Sequence, residues 1–216
     1  MRRVPYPVAI ITSTDPHVHD GSNGNGNGNI HNAFRGMTVS SFSTVTLHPE
    51  PMISFNVRRP SETLSALLFS GRFLVHLLSP GKATAALARD FSKGNQNLSI
   101  VSGEGAEFEY VSHVAPGAIP LPLLRRRVTG RETRADIETA AQKQGEFPFV
   151  FECAIHPQQM DIYDHTIVLG KVVGTIVPPQ QSSNVNNDGG GNSPGKGLCL
   201  TYADTRFWEM GHEIKG

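Results

Sequence analysis

The segment Phe34–Thr63, FRGMTVSSFSTVTLHPEPMISFNVRRPSET, restricts the fold of this 216-residue chain more than any other. Gly36 and Met37 lead into Thr38, Ser40, Ser41, Ser43, Thr44 and Thr46, a run too rich in hydroxyls for an ordinary core strand. A turn is predicted at His48-Pro49-Glu50-Pro51, followed by a strand over Met52–Val57. Alternation puts Ile53, Phe55 and Val57 on one face and Ser54, Asn56 and Arg58 on the other. One face therefore seals a core while the other offers hydrogen bonds, as in a barrel wall that presents a polar surface to a ligand. A flat polar ring system with an anionic tail would suit that surface.

The anionic tail has its own signal. Arg58 and Arg59 precede Pro60-Ser61, and Ser61 is the expected N-cap of a helix with Leu64, Leu67 and Leu68 as its apolar stripe and Gly71 as its stop. A helix N-terminus offers unpaired N–H groups and partial positive charge, and neighbouring guanidinium groups add fixed charge in a fork geometry. Together these form a phosphate site without a glycine-rich loop. From this segment alone, a capped surface helix following an arginine turn accounts for the residues equally well.

Elsewhere the pattern is strand-rich. Phe73–Leu78, Phe149–Ile155 and Thr166–Val177 read as strands, and Pro80–Phe91 reads as a helix with Ala83, Ala86, Leu87 and Asp90 at helical spacing. Many short strands, few helices and no strict βαβ alternation favour a closed antiparallel barrel over a doubly wound sheet. No G-x-G-x-x-G follows a strand, so there is no dinucleotide-binding fold, and a nicotinamide cofactor, if used, must visit transiently.

Composition removes other classes. With 19 basic and 19 acidic residues, no global field favours nucleic acid or an anionic membrane. The arginines of LLRRRVTGRETR, Arg125 to Arg134, lack interleaved aromatics and read as a solvated loop or the start of a helix over Asp136–Gln144. No apolar run approaches the ~20 residues of a bilayer span. Cys153 and Cys199 read as small buried residues in a reducing compartment, which places the chain inside the cell, in the cytoplasm. None of the nine histidines stands in H-E-x-x-H or beside C-x-x-C, so no metal is expected. Residues 20–32 and 178–197, poor in apolar residues and rich in Gly and Asn, read as loop insertions within one domain spanning 1–216. Within the second, Gly190–Lys196 fits G-x-x-x-x-G-K, but Gly197 replaces the needed Ser or Thr, so this is a chance match.

Three ordered signatures resemble the flavin-reductase-like family of FMN-binding split barrels. The first is Val8–Thr12, then Gly36 through Leu47, Pro49-Glu50-Pro51 and Ser61-Glu62-Thr63; the second is Asp164-His165-Thr166-Ile167-Val168-Leu169-Gly170-Lys171-Val172; the third is Leu200-Thr201-Tyr202 with Arg206-Phe207. The resemblance runs from Val4 to about Gly211. It implies a mainly β fold, a Greek-key-like antiparallel split barrel with a few helices. It further implies an FMN-dependent oxidoreductase, an NAD(P)H:flavin reductase, assembled as a homodimer, with NADH or NADPH as a transient co-substrate. Met37, Thr38, Val39, Ser40 and Ser41 would then meet the flavin ring, Ser54 and Asn56 the ring or ribityl chain, and Arg58, Arg59, Ser61 and Thr63 the phosphate. Phe91 would border the ring, His165 would place the nicotinamide, and Tyr202 and Arg206 would lie nearby. Taken alone, His165 reads more naturally as a rim histidine satisfied by a backbone carbonyl; the signature around it reverses that. The family also places a short helix before the first strand, and its absence implies that Met1 is an internal or trimmed start. Tyr163 stands where relatives often carry Gly. The rival reading is an FMN carrier, or the flavin-bearing part of another redox system, without turnover of free NAD(P)H.

Overall fold

The computed structural model describes residues 3–15, 17, 33–95, 100, 106–127, 146–176 and 199–209. Both low-complexity segments and the helix expected over Asp136–Gln144 lie outside the described residues. The chain order is β1 (Tyr6–Pro7), β2 (Ala9–Thr14), β3 (Phe34–Val39), β4 (Ser43–Thr46), β5 (Met52–Arg58), α1 (Glu62–Ser70), β6 (Arg72–Leu77) and α2 (Lys82–Phe91). It continues with β7 (Phe108–His113), β8 (Leu121–Arg126), β9 (Phe149–Ile155), β10 (Met160–Ile162), β11 (His165–Ile176), β12 (Thr201–Ala203) and β13 (Arg206–Trp208).

The main sheet is antiparallel, in the order β3-β2-β6-β9-β11-β5-β4, with β10 hooked onto β11. Its two ends are consecutive strands, joined only by Ser40, Ser41 and Phe42. Laid flat, seven strands about 4.8 Å apart would separate those ends by roughly 29 Å. The four Cα steps from Val39 to Ser43 reach at most about 14 Å. The sheet must therefore curl into a barrel, and it stays split between β3 and β5. Across that split the amide of Asn56 donates to Ser41 Oγ at 2.8 Å, in place of a strand ladder.

The curled sheet has apolar residues on both faces, which explains why every residue of β2 is buried. Ile11, Val39, Ile53, Phe55, Val57, Phe73, Val75 and Val168 fill the barrel interior, and Leu64 and Leu67 of α1 close it. Ile10, Phe34, Leu74 and Leu78 face outward and are covered by Leu87, Ala88 and Phe91 of α2 and by the β7–β8 hairpin. That hairpin is held partly by side chains. Thr12 Oγ1 donates to the carbonyl of Pro122, and the amide of Leu124 donates to His76 Nε2 at 3.1 Å. No helix among the described residues is long and apolar enough to cross a membrane.

Three local expectations need correction. Leu68 is 50 % exposed, because Thr63, Leu64, Ala66 and Leu67 form the buried face of α1. In α2 the buried face is Thr84, Leu87, Ala88 and Phe91, not Ala83, Ala86, Leu87 and Asp90. The arginine run begins inside β8 rather than in a loop: Arg125 pairs with Glu109 across the hairpin, and Arg126 pairs with Glu107 and Glu146. Charge pairing is enough to keep such residues at the exposed end of a strand that is otherwise largely buried. Cys153 is buried as expected, whereas Cys199 is only half-buried.

Candidate functional site

A cleft of about 660 Å³ opens at the split of the barrel. One wall is Gly36 to Val39 of β3 continuing through Ser40 and Ser41, and the other is Asn56, Val57 and Arg58 of β5 with His165 of β11. The N-terminus of α1, from Pro60 to Thr63, forms one end, and Phe91 through Asn95 at the end of α2 complete the enclosure. The cleft exists because β4 pairs with β5 only between Met52 and Ser54, leaving the edge of β5 beyond Ser54 uncovered.

The β3 wall is fixed by a triangle of hydrogen bonds. The amide of Gly36 donates to Asn95 Oδ1 at 2.8 Å, Asn95 Nδ2 donates to Thr63 Oγ1 at 3.2 Å, and Thr63 Oγ1 donates to the carbonyl of Gly36 at 3.1 Å. Since both polar atoms of Gly36 point away from β2, strand alternation turns the N–H and C=O of Thr38 the same way, toward the cleft. The Thr38 hydroxyl donates to the carbonyl of Ala88 at 2.7 Å, which ties β3 to α2. A side chain at Gly36 is excluded, since its Cβ would lie 2.4 Å from Phe91 Cε1 and 3.2 Å from Tyr110 Oη.

At the α1 end, Ser61 is an N-cap whose Oγ accepts from the amide of Leu64 at 3.1 Å, and Gly71 ends the helix at φ 68°. The cap leaves the other first-turn amides facing the cleft. Glu62 also lines this end and is drawn aside by Arg35, with Nε 3.6 Å from Oε2. Arg58 Nε donates to Asp164 Oδ2 at 3.0 Å, and Asp164 Oδ1 lies 2.7 Å from His165 Nδ1. The hydrogen bond from His165 holds the Asp164 carboxyl below the usual carboxylate range, and Arg58 adds to that effect.

Of the residues expected from sequence, Met37, Thr38, Val39, Ser40, Ser41, Asn56, Arg58, Ser61, Thr63, Phe91 and His165 line this cleft. Four lie elsewhere. Ser54 is covered by its pairing with Ser43. Arg59 turns to the β10–β11 hairpin, donating to Asp161 Oδ2 at 3.0 Å and to the carbonyl of Tyr163 at 2.6 Å. Tyr202 and Arg206 belong to the small β1-β12-β13 sheet, where Tyr202 packs on Phe207. Thr63 is 1 % exposed with its hydroxyl committed to the triangle, so it shapes the α1 end of the cleft rather than offering a free donor there. Ser43 and Thr44, exposed, and Thr46, half-buried, lie along β4, outside the cleft. Sequence reasoning missed Ser92, Lys93, Gly94 and Asn95, whose one local signal is a Gly-Asn stop after α2, and it missed Asp164 as the partner of His165.

Residues 1–210 match the flavin reductase like domain. The chain belongs to that family. Solved structures with the same fold include a flavin reductase domain protein from Arthrobacter sp. FB24, at 18 % identity and TM-score 0.58 over 99 % of this chain and 93 % of that one. The NADH:FAD oxidoreductase of Streptomyces globisporus C-1027 aligns at 21 % identity and TM-score 0.58, over 98 % and 89 % of the two chains. The styrene monooxygenase flavin reductase from Pseudomonas putida S12 aligns at 16 % identity and TM-score 0.54, over 99 % and 95 %. These likenesses make the curled antiparallel sheet a flavin reductase split barrel.

Proposed function

We propose that this protein is an NAD(P)H-dependent flavin reductase that binds FMN in the cleft at the barrel split. One observation carries the reading: a single cleft brings together an uncovered strand edge, two serines, a capped helix N-terminus and Arg58. This donor set fits a flavin mononucleotide, with a polar ring edge at one end and a phosphate at the other. Bound there, FMN would accept hydride from a reduced nicotinamide and hand the electrons to an acceptor. The N–H of Thr38 and the hydroxyls of Ser40 and Ser41 would hydrogen-bond the polar ring edge and favour negative charge building there. Phe91 supplies an apolar border, and the first-turn amides of α1 with Arg58 and Lys93 hold the phosphate. His165 stands across from Arg58 in the β5–β11 pairing, placed to orient the nicotinamide. Hydride transfer needs alignment more than a strong base, so a cleft without a buried acid–base pair is adequate. The Streptomyces oxidoreductase, which takes NADH and FAD by name, supports the nicotinamide and leaves FAD as the competing flavin. Val45 on the edge strand β4 and Leu47 just after it, 54 % and 65 % exposed, support a homodimer seam beside the cleft.

The test is a flavin titration followed by reduction. FMN should bind with a large preference over riboflavin, Arg58→Glu should abolish that preference while leaving the melting temperature near wild type, and NADH or NADPH should bleach the bound flavin under anaerobic conditions. Equal affinity for FMN and riboflavin would remove the phosphate site. A second reading keeps the flavin and drops the nicotinamide: Tyr163, 96 % exposed at φ 51° next to Asp164, stands on the turn before His165, where its ring would hinder a nicotinamide approaching that histidine. Bound flavin that neither nicotinamide bleaches would establish the carrier instead.

A further inference from the structure

Among the described residues, Asp164 is the one carboxylate that touches both charged or titratable side chains lining the β5–β11 wall. Its Oδ2 accepts from Arg58 Nε at 3.0 Å and its Oδ1 sits 2.7 Å from His165 Nδ1. The backbone fixes it as well, because its carbonyl accepts from the amide of Arg59 at 2.7 Å. Arg58 and His165 are themselves register partners in the β5–β11 ladder, so the carboxylate bridges two residues already held opposite each other.

The geometry matters at the level of single nitrogens. Asp164 engages Arg58 through Nε and leaves the two terminal nitrogens for an anion, so the guanidinium is oriented and keeps its fork. A carboxylate at Nδ1 favours the tautomer with the ring proton there, which leaves Nε2 as the acceptor of the neutral ring. An acceptor there suits the amide N–H of a nicotinamide carboxamide.

We infer that Asp164 is a positioning residue that orients Arg58 for the phosphate of FMN and His165 for the nicotinamide, coupling the two binding events on one wall of the cleft. This rests on the proposed function. The opposing view is that Asp164 merely neutralises Arg58 and competes with the phosphate, and the two views predict opposite signs.

The experiment titrates wild type and Asp164→Ala with FMN and with riboflavin by flavin fluorescence, then follows anaerobic reduction across a range of NADH and NADPH concentrations. Asp164→Ala should weaken FMN about tenfold or more, the scale of one lost charge-assisted hydrogen bond, while riboflavin affinity stays within about twofold on the same scale. Half-saturation by the nicotinamide should also move to higher concentration. Asp164→Asn, which keeps an acceptor for Arg58 Nε, should recover part of the FMN preference, and it replaces the alanine variant if that one fails to fold. Tighter FMN binding in Asp164→Ala, or an unchanged FMN-to-riboflavin ratio with unchanged nicotinamide saturation, would overturn the inference. Wild type that binds neither flavin would instead overturn the reading of the cleft on which it rests.

Discussion

The amide of Gly36 donates to the side-chain oxygen of Asn95 at 2.8 Å, joining residues 59 positions apart in the chain. Through this bond and the Asn95–Thr63 bond, the loop after α2 fixes the distance between the β3 edge and the N-terminus of α1. Both walls of the proposed flavin site depend on that distance.

Asn95→Ala should therefore act on stability and on the cleft together. It leaves the Gly36 amide and the Thr63 hydroxyl short of partners, at a cost of about 1–3 kcal/mol in denaturant unfolding. FMN affinity should fall with it. Asn95→Asp keeps the acceptor for Gly36 and should lose less stability than the alanine variant; equal losses would mean that the Gly36 bond contributes little.

Gly36→Ala tests the packing behind the same wall. The new Cβ would press on Phe91, which is 1 % exposed and cannot swing into solvent. Overpacking of this kind costs about 1–3 kcal/mol, and moving Phe91 also shifts the apolar border of the cleft. Pairing it with Phe91→Leu should restore part of the stability. A variant as stable as wild type would show that the ring has room to retreat.

His165→Ala separates binding from turnover. The imidazole is half-exposed on the cleft rim and seals no core. The variant should keep its FMN, while stopped-flow reduction by nicotinamide slows on the order of a hundredfold, the scale of an ~1 Å misplacement of the hydride donor. Wild-type rates in the variant would take this role away from His165.

His76 predicts a pH dependence of the fold. It is fully buried, its Nε2 accepts from the amide of Leu124, and its Nδ1 faces the carbonyl of Ile10. Burial pushes its pKa from 6.5 down to about 3, against the opposing pull of the Ile10 carbonyl. The unfolded chain therefore binds a proton below about pH 6.5 that the folded chain refuses, and stability is lost as pH falls from there toward 3. The slope from this residue is up to about 1.4 kcal/mol per pH unit. Unfolding between pH 7 and 5 should show that slope in wild type and not in His76→Gln. Parallel curves would mean that the ring takes up a proton inside the fold.

Local signals in the chain were enough for the parts of the site that follow one another. Ser61 caps α1 and Gly71 ends it because capping and left-handed turns depend on residue type within a few positions. The β5 alternation held for the same reason, with Ile53, Phe55 and Val57 inside and Asn56 and Arg58 outside. These residues, with the hydroxyls of Ser40 and Ser41, put both ends of the proposed flavin site within one continuous segment.

What tertiary structure decided was which of those groups face the cleft and which are already spent. A short β4 uncovers Asn56 but covers Ser54, and the β10–β11 hairpin draws Arg59 away while Asp164 leaves Arg58 in place. The Thr63 hydroxyl is committed to Gly36 by a loop whose sequence shows no sign of β3. Helical spacing in α2 gives the period of a stripe but not its phase, which here is set by the outer face of the barrel through Leu87, Ala88 and Phe91. Alternation and capping act over two to four residues, as far as sequence patterns extend. The triangle and the Asp164 bridge join residues 27 to 106 positions apart, and only the curl of the sheet brings them together.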